Sequence, residues 1–125
     1  MPTIPEDVRK AWTNRKGAVI LATAAADGTP NAIYATCVSR YDDETIVIAD
    51  NYFDKTRKNI LAGSKGSVLF MTETGEAFQI KGTIEYLTEG PVFDDMKTWN
   101  PAKHPGRAAT AVKAEEVWSG SKKLL

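Results

Sequence analysis

The sequence predicts a mainly β protein, an antiparallel sheet closed or half-closed into a small barrel with short helices over its ends. Three observations lead there. Apolar and β-branched runs of strand length recur along the chain, separated by turn signals such as Asp27-Gly28-Thr29-Pro30 and Thr74-Gly75. Most gaps between these runs are too short for a parallel crossover, so neighbouring strands pair antiparallel. The 125 residues suit one domain covering 1–125, and a hydrophobic content of 42% supplies a core for it.

Taken in order, residues 4–12 read as a short helix, with Pro5, Glu6 and Asp7 in the first turn and Val8, Ala11 and Trp12 at helical spacing. This N-terminal helical segment, 1–16, ends at Gly17. Residues 18–23 form a continuous apolar run, which suits a strand buried on both faces. Residues 31–39 make a second strand and 45–49, rich in Ile and Val, a third. The period then changes. Residues 55–62 carry helical spacing, with Asp54 placed as N-cap and Gly63 as the residue just past the C-cap. Strand character returns over 67–72 and again over 77–87, where Phe78, Ile80 and Ile84 alternate with polar neighbours. Thr88-Glu89-Gly90-Pro91 opens a third helix that runs to Trp99. After a Pro-interrupted loop, residues 108–117 read as the last strand, ending at Trp118, and 119–125 as a frayed tail. The tally is about six strands and three short helices.

Composition narrows the function. The 16 Lys and Arg balance 16 Asp and Glu, which argues against a general nucleic-acid binder and against binding to an anionic membrane surface. One Cys builds no disulfide framework, so a reducing, cytoplasmic compartment is expected. The longest apolar stretch, 17–26, is about half a membrane span. With one His and one Cys, a His- or Cys-rich metal site is excluded. His104 reads as a surface loop residue, Cys37 as a small core residue, and Asp42-Asp43 as turn residues. No catalytic nucleophile or general base stands out, and redox chemistry here would need a bound cofactor to supply the reactive atoms.

The most informative stretch is 50–60. If Asp54 caps the helix, Lys55, Arg57 and Lys58 stand in its first turn, where the backbone already carries about half a positive charge. Each misplaced cation forgoes or costs on the order of 0.3–1 kcal/mol. An anion would remove the conflict, because free N–H groups, Lys55 and the Thr56 hydroxyl make a phosphate clamp, with Asn59 on the same face. Lys55 and Thr56 face the Asp50-Asn51 turn, whereas Arg57 and Lys58 are free to point outward. A solvated helix with its charges in water is the plain alternative.

This segment, the strands around 18–38, Ile46-Val47-Ile48-Ala49-Asp50-Asn51, residues 78–85 and the helix start at Thr88-Glu89-Gly90-Pro91 together resemble the FMN-binding split-barrel family. That family includes the pyridoxamine 5′-phosphate oxidases and small bacterial FMN-binding proteins, and the chain's shortness is similar to the latter. The resemblance implies a six-stranded antiparallel split β-barrel that binds FMN as a homodimer, with sites at the subunit interface. It implies a phosphate held by Asn51, Lys55 and Thr56 beside Asp50 and Asn59. It also implies a flavin ring lying against Tyr34, Ala35 and Thr36, and a contribution at or near Gln79. Gln79 also reads as an ordinary outward strand residue. Trp99 and Trp118 read as packing residues before ring shields. The basic residues with which the oxidases grip pyridoxamine phosphate have no counterpart here.

The expected function is therefore that of an FMN-dependent oxidoreductase or electron carrier, with an unspecified redox partner or small-molecule substrate. The alternatives are a deazaflavin-binding reductase of the same fold and a non-redox β-barrel ligand-binding module.

Overall fold

A computed structural model describes residues 2–125 of the chain. Its elements are α1 (Glu6–Thr13), β1 (Val19–Ala24), β2 (Pro30–Ala35), β3 (Val38–Arg40), β4 (Thr45–Asp50), α2 (Lys55–Leu61), β5 (Gly66–Met71), β6 (Ala77–Leu87), α3 (Pro91–Trp99), β7 (Ala108–Ser119) and β8 (Lys122–Lys123). All ladders are antiparallel, and the strands run in the order β2-β1-β5-β6-β7-β4-β3, with β8 added to β7. The two outermost strands of this order, β2 and β3, are consecutive in the chain and separated only by Thr36 and Cys37. One short step therefore ties the two edges together, and the sheet must curl into a half-barrel.

The concave side holds the main core. Leu21, Ile46, Ile48, Val68, Ile80 and Val112 pack there, closed at one end by Val8 and Trp12 of α1. Trp12 meets Phe70 edge-on at 5.1 Å between ring centroids, and Phe70 stacks on Phe78 at 5.6 Å. A second cluster lies on the other side of β4 and β7, where Val47, Ala49, Ala109 and Ala111 meet Met96 of α3. The strand buried on both faces is thus β4, and β1 alternates between buried and partly exposed positions. An apolar run alone does not distinguish the two cases. What decides is that α3 covers the outer face of β4 and β7, while among the described residues α2 meets β1 at buried Thr23 and the alternate positions of β1 stay partly exposed.

The outer face left open has a definite composition. Register places Tyr34, Ile20, Leu69, Gln79 and Trp118 in one row across β2, β1, β5, β6 and β7. Tyr34 is 78% exposed, and Leu69 and Met71 add apolar surface to the same face. Further along β6 the register shifts at Lys81/Gly82, with Gly82 opposite Ala114 and Lys81 opposite Glu116. A Cβ on Gly82 would lie 1.6 Å from the Lys113 carbonyl oxygen, so only glycine fits this close approach.

The structure corrects the sequence reading of the fold in three further places. Among the described residues there are eight strands rather than about six, partly because the segment read as one strand over 31–39 breaks at Thr36-Cys37 to pass from one sheet edge to the other. The tail is not frayed: Lys122–Lys123 pairs with β7, the Leu124 N–H donates to the Val117 carbonyl at 2.7 Å, and Leu124 and Leu125 pack on the main core. Two terminal leucines supply the apolar anchor that a Ser- and Lys-rich lead-in conceals. Finally, the side chain of Asp54 at the N-cap of α2 makes no capping hydrogen bond, and it pairs with Lys58 at 3.7 Å instead. Among the described residues no helix is long and apolar enough to cross a membrane.

Candidate functional site

The site is built where β4 ends and the chain turns into α2. Asp50, the last residue of β4, is fully buried, and its carboxylate gathers the turn around it. Arg57 donates to it twice, from Nε at 2.7 Å and Nη2 at 3.0 Å, and the Phe53 N–H donates at 3.0 Å. The Tyr86 hydroxyl, from β6, also donates to it. Burial alone would raise the Asp50 carboxyl, but the hydrogen bonds from Arg57, Tyr86 and Phe53, with the charge of Arg57, outweigh it and hold the pKa below the usual value. Arg57 is raised in return, chiefly by its hydrogen bonds to Asp50. Arg57 therefore does not point freely outward. A buried carboxylate seven residues earlier lay outside what helical spacing could reveal.

Burial pushes the Tyr86 hydroxyl up from its usual 10.0, and the bond to Asp50 pushes it further. A group whose pKa rises on folding stabilises the fold fully below its unfolded value and loses that contribution as pH climbs through the folded value. Asp50 has the opposite sign: its contribution is present above the usual carboxylate range and fades as pH falls through the lowered folded value. Urea midpoints followed from pH 8 to 11 should fall more steeply above pH 10 in the native chain than in Tyr86→Phe. Identical alkaline slopes would show that the hydroxyl proton is not held by folding.

α2 is fastened to the sheet by a second polar group. Asn31 Nδ2 donates to Thr56 Oγ1 at 2.9 Å, and Asn59 Nδ2 donates to Thr23 Oγ1 at 3.0 Å. Thr56 is 1% exposed. At the far end, Gly63 takes φ +96°, its N–H meets the Ile60 carbonyl, and the Ser64 N–H reaches the Asn59 carbonyl, which closes the helix as the sequence anticipates. Asn51 forms a reciprocal amide pair with Asn100, at 3.0 and 2.9 Å, and its Oδ1 also accepts from the Gly106 N–H. It thereby fixes the 101–106 loop beside the turn.

Between β2, this turn and that loop lies a cleft of about 400 Å³. Ile33, Tyr34 and Ala35 form one wall, and Thr36 and Cys37 continue it along the seam of the half-barrel. Tyr52, Phe53 and His104 stand among the other lining residues, with Asn51, Asp54, Lys55 and Thr56 at the helix end. The cleft thus brings together six of the residues singled out from sequence: Asn51, Lys55, Thr56, Tyr34, Ala35 and Thr36. It does not gather the other three. Asp50 is enclosed by Arg57 and Tyr86, Asn59 spends its amide on Thr23, and Gln79 sits on the outer face of β6.

Lys55 is the cation of interest. Arg57 is paired with Asp50 and Lys58 with Asp54, whereas Lys55 has no ion-pair partner among the described residues. The charge surplus at this helix start is therefore smaller than the sequence suggests, and it resides in one side chain.

Sequence reasoning missed His104. It is no isolated surface residue: its Nδ1 shares a hydrogen bond with the Tyr52 hydroxyl at 3.1 Å, the two rings meet edge-on, and both line the cleft. Cys37, read as a core residue, both packs against the second cluster and lines the cleft. Nothing local in the sequence joins residues 52 and 104; the Asn51–Asn100 pair that brings their loops together is a long-range contact.

Comparison with known proteins follows the same outline. An uncharacterised protein of Methanocaldococcus jannaschii is 31% identical over 121 residues, covering 93% of this chain and 80% of that protein. The crystal structure of HupZ from Group A Streptococcus superposes with a TM-score of 0.79 at 24% identity, covering 93% of each chain. An FMN-binding protein from Syntrophomonas wolfei gives 0.74 at 22% identity, covering 93% of this chain and 96% of that one. These solved structures establish a shared fold. The sequence model of the pyridoxamine 5′-phosphate oxidase family matches residues 5–120, nearly the whole half-barrel together with the cleft, and the chain belongs to that family.

Proposed function

We propose that the chain binds FMN in the cleft and works as a flavin-dependent redox protein. The observation that carries this reading is Lys55, an unpaired ammonium at one end of a cleft whose long wall is a strand of apolar and aromatic residues. The residues suit the group. Lys55 at the start of α2 would meet a phosphate; Ile33, Tyr34, Ala35 and Phe53 offer apolar surface to a ring; Thr36 and the β2 backbone offer hydrogen bonds to its polar edge. When bound, the flavin supplies the hydride or electron chemistry, so this chain needs no nucleophile of its own. Its residues anchor, orient and shield.

The reading extends to a homodimer. Tyr34 belongs both to the cleft wall and to the exposed row on the outer sheet face, so a second copy seated on that face would stand at the cleft mouth. Gln79 lies three strands from Tyr34, roughly 14 Å at ~4.8 Å per strand, too far to reach its own chain's cleft. It shares a row with Trp118 and would serve the cleft of a partner copy.

The purified chain is expected to show a flavin absorption spectrum, and heating should release FMN. Where expression leaves the site unfilled, FMN should bind with quenching of its fluorescence. Preferential binding of the deazaflavin F420 would favour the reductase alternative. A colourless chain that neither FMN nor F420 stabilises against heat would overturn the reading.

A further inference from the structure

His104 is the single histidine of the chain, and the cofactor reading leaves its imidazole without a task. With Thr36 and Cys37 it lines the seam end of the cleft, whereas Lys55 belongs to the turn into α2. In the arrangement proposed above, which this inference rests on, the polar edge of the ring meets Thr36. His104 then stands beside that edge. Its Nδ1 shares a hydrogen bond with the Tyr52 hydroxyl at 3.1 Å, and no carboxylate bonds to the imidazole among the described residues.

Two features suit this imidazole to exchange a proton in place. The first is that its loop is pinned. The Asn51–Asn100 amide pair and the bond from the Gly106 N–H to Asn51 hold both ends, Lys97 Nζ donates to the Pro105 carbonyl at 3.1 Å, and the His104 N–H donates to the Pro101 carbonyl at 2.9 Å. The backbone therefore keeps the ring in the cleft wall. The second is that the Tyr52 bond works in either protonation state. With a neutral ring the phenol hydroxyl can donate to Nδ1. With a charged ring Nδ1–H donates to the same oxygen, whose own hydrogen turns to water, because Tyr52 is 68% exposed. His104 is itself half-buried, within reach of solvent.

The charged and titratable groups around it come from every neighbouring element. Cys37 lies at the seam, Tyr52, Asp54 and Lys55 in the turn and the start of α2, and Lys103 on its own loop. Lys97 of α3 is turned to the Pro105 and Gly106 carbonyls. Asp54, the one carboxylate among these lining residues, pairs with Lys58 and belongs to the Lys55 end. The cations near His104 oppose a further positive charge, so the arrival of negative charge in the cleft is what would favour one.

We infer that His104 takes up a proton when the cofactor in the cleft is reduced, so that electron uptake by this chain is coupled to pH. A hydride donor passes two electrons and one proton to a flavin, which leaves one additional negative charge at the ring's polar edge. His104 balances that charge with one proton from solvent, held at Nδ1 against Tyr52, while Nε2–H is retained. The sum is two electrons and two protons, and no bond of the protein skeleton breaks. The coupling is reciprocal: reduction raises the proton affinity of His104, and protonation of His104 favours reduction by the same factor. Lowering the pH therefore assists electron uptake.

A single histidine makes the test direct, since nitrogen-15 histidine labelling yields one imidazole spectrum. The full chain loaded with FMN is titrated from pH 5 to 9, oxidised and again after anaerobic photoreduction, and the Nδ1 and Nε2 shifts report the protonation state. Proton affinity should rise about tenfold or more on reduction, the effect of an opposite charge within about 4–6 Å. The midpoint potential of the bound FMN, followed over the same range, should show the native chain taking up more protons per electron pair than His104→Gln. Identical titration of His104 in the two redox states would overturn the inference, as would equal proton uptake by the native chain and His104→Gln. If FMN never binds, the cofactor reading has failed and the coupling with it. If FMN binds and His104 ignores its redox state, only the coupling has failed.

Discussion

Arg57→Ala is expected to lower the stability of the chain by about 3 kcal/mol, which is roughly 10 °C in Tm. The reason is the carboxylate it leaves behind. Asp50 is fully buried, so it cannot regain water when its guanidinium is removed. Breaking a buried ion pair from one side costs about 3–5 kcal/mol, and the remaining donors, Tyr86 and the Phe53 N–H, place this case at the lower end. A charge-free control follows from the same argument. Arg57→Met combined with Asp50→Asn leaves no uncompensated charge and should recover much of the loss. Urea denaturation of the singles and the double measures this directly. If Arg57→Ala costs under 1 kcal/mol, or if the double variant is as unstable as the sum of the singles, Asp50 does not organise the turn as described.

The second large effect falls on the cofactor. Lys55→Ala should weaken FMN binding by roughly 10- to 100-fold, the loss of a hydrogen bond to a charged group worth about 1.5–3 kcal/mol. The fold should be unaffected, because Lys55 is exposed and unpaired among the described residues. Riboflavin, which lacks the phosphate, supplies the control: its affinity should be the same in Lys55→Ala and in the native chain. Equal loss of FMN and riboflavin would mean that Lys55 acts on the ring or on the fold. Thr56 acts differently. It accepts a hydrogen bond from Asn31 in the interior, so Thr56→Ala is read mainly in stability, and pairing it with Lys55→Ala would confuse the two effects.

The sequence yielded most of what periodicity and turn chemistry encode. The strand over 77–87 matches β6, the helix ending at Trp99 matches α3, and Gly63 closes α2 in the expected left-handed conformation. What escaped was set by distance along the chain. The break at Thr36-Cys37 exists because two sheet edges meet there, and β strand propensity carries no record of which edge a residue will join. Arg57 looked free because its partner lies on another element, and His104 looked solvent-bound because its neighbour is Tyr52. The candidate phosphate end was legible because it is local, all within ten residues of Asp50. The opposite end was not, since three separate segments build it.

The two-residue step between β2 and β3 has a consequence for motion. These are the two end strands of the seven-strand path, and the periphery of a sheet is where amide protons exchange first through local opening. In an open sheet the two peripheries would loosen independently. Here Thr36 and Cys37 couple them, so a fluctuation that lifts β2 from β1 pulls directly on β3. The cleft wall is the same strand, and a molecule lodged against it would therefore slow exchange on both borders of the sheet at once, making amide protection of β3 a remote gauge of occupancy at β2.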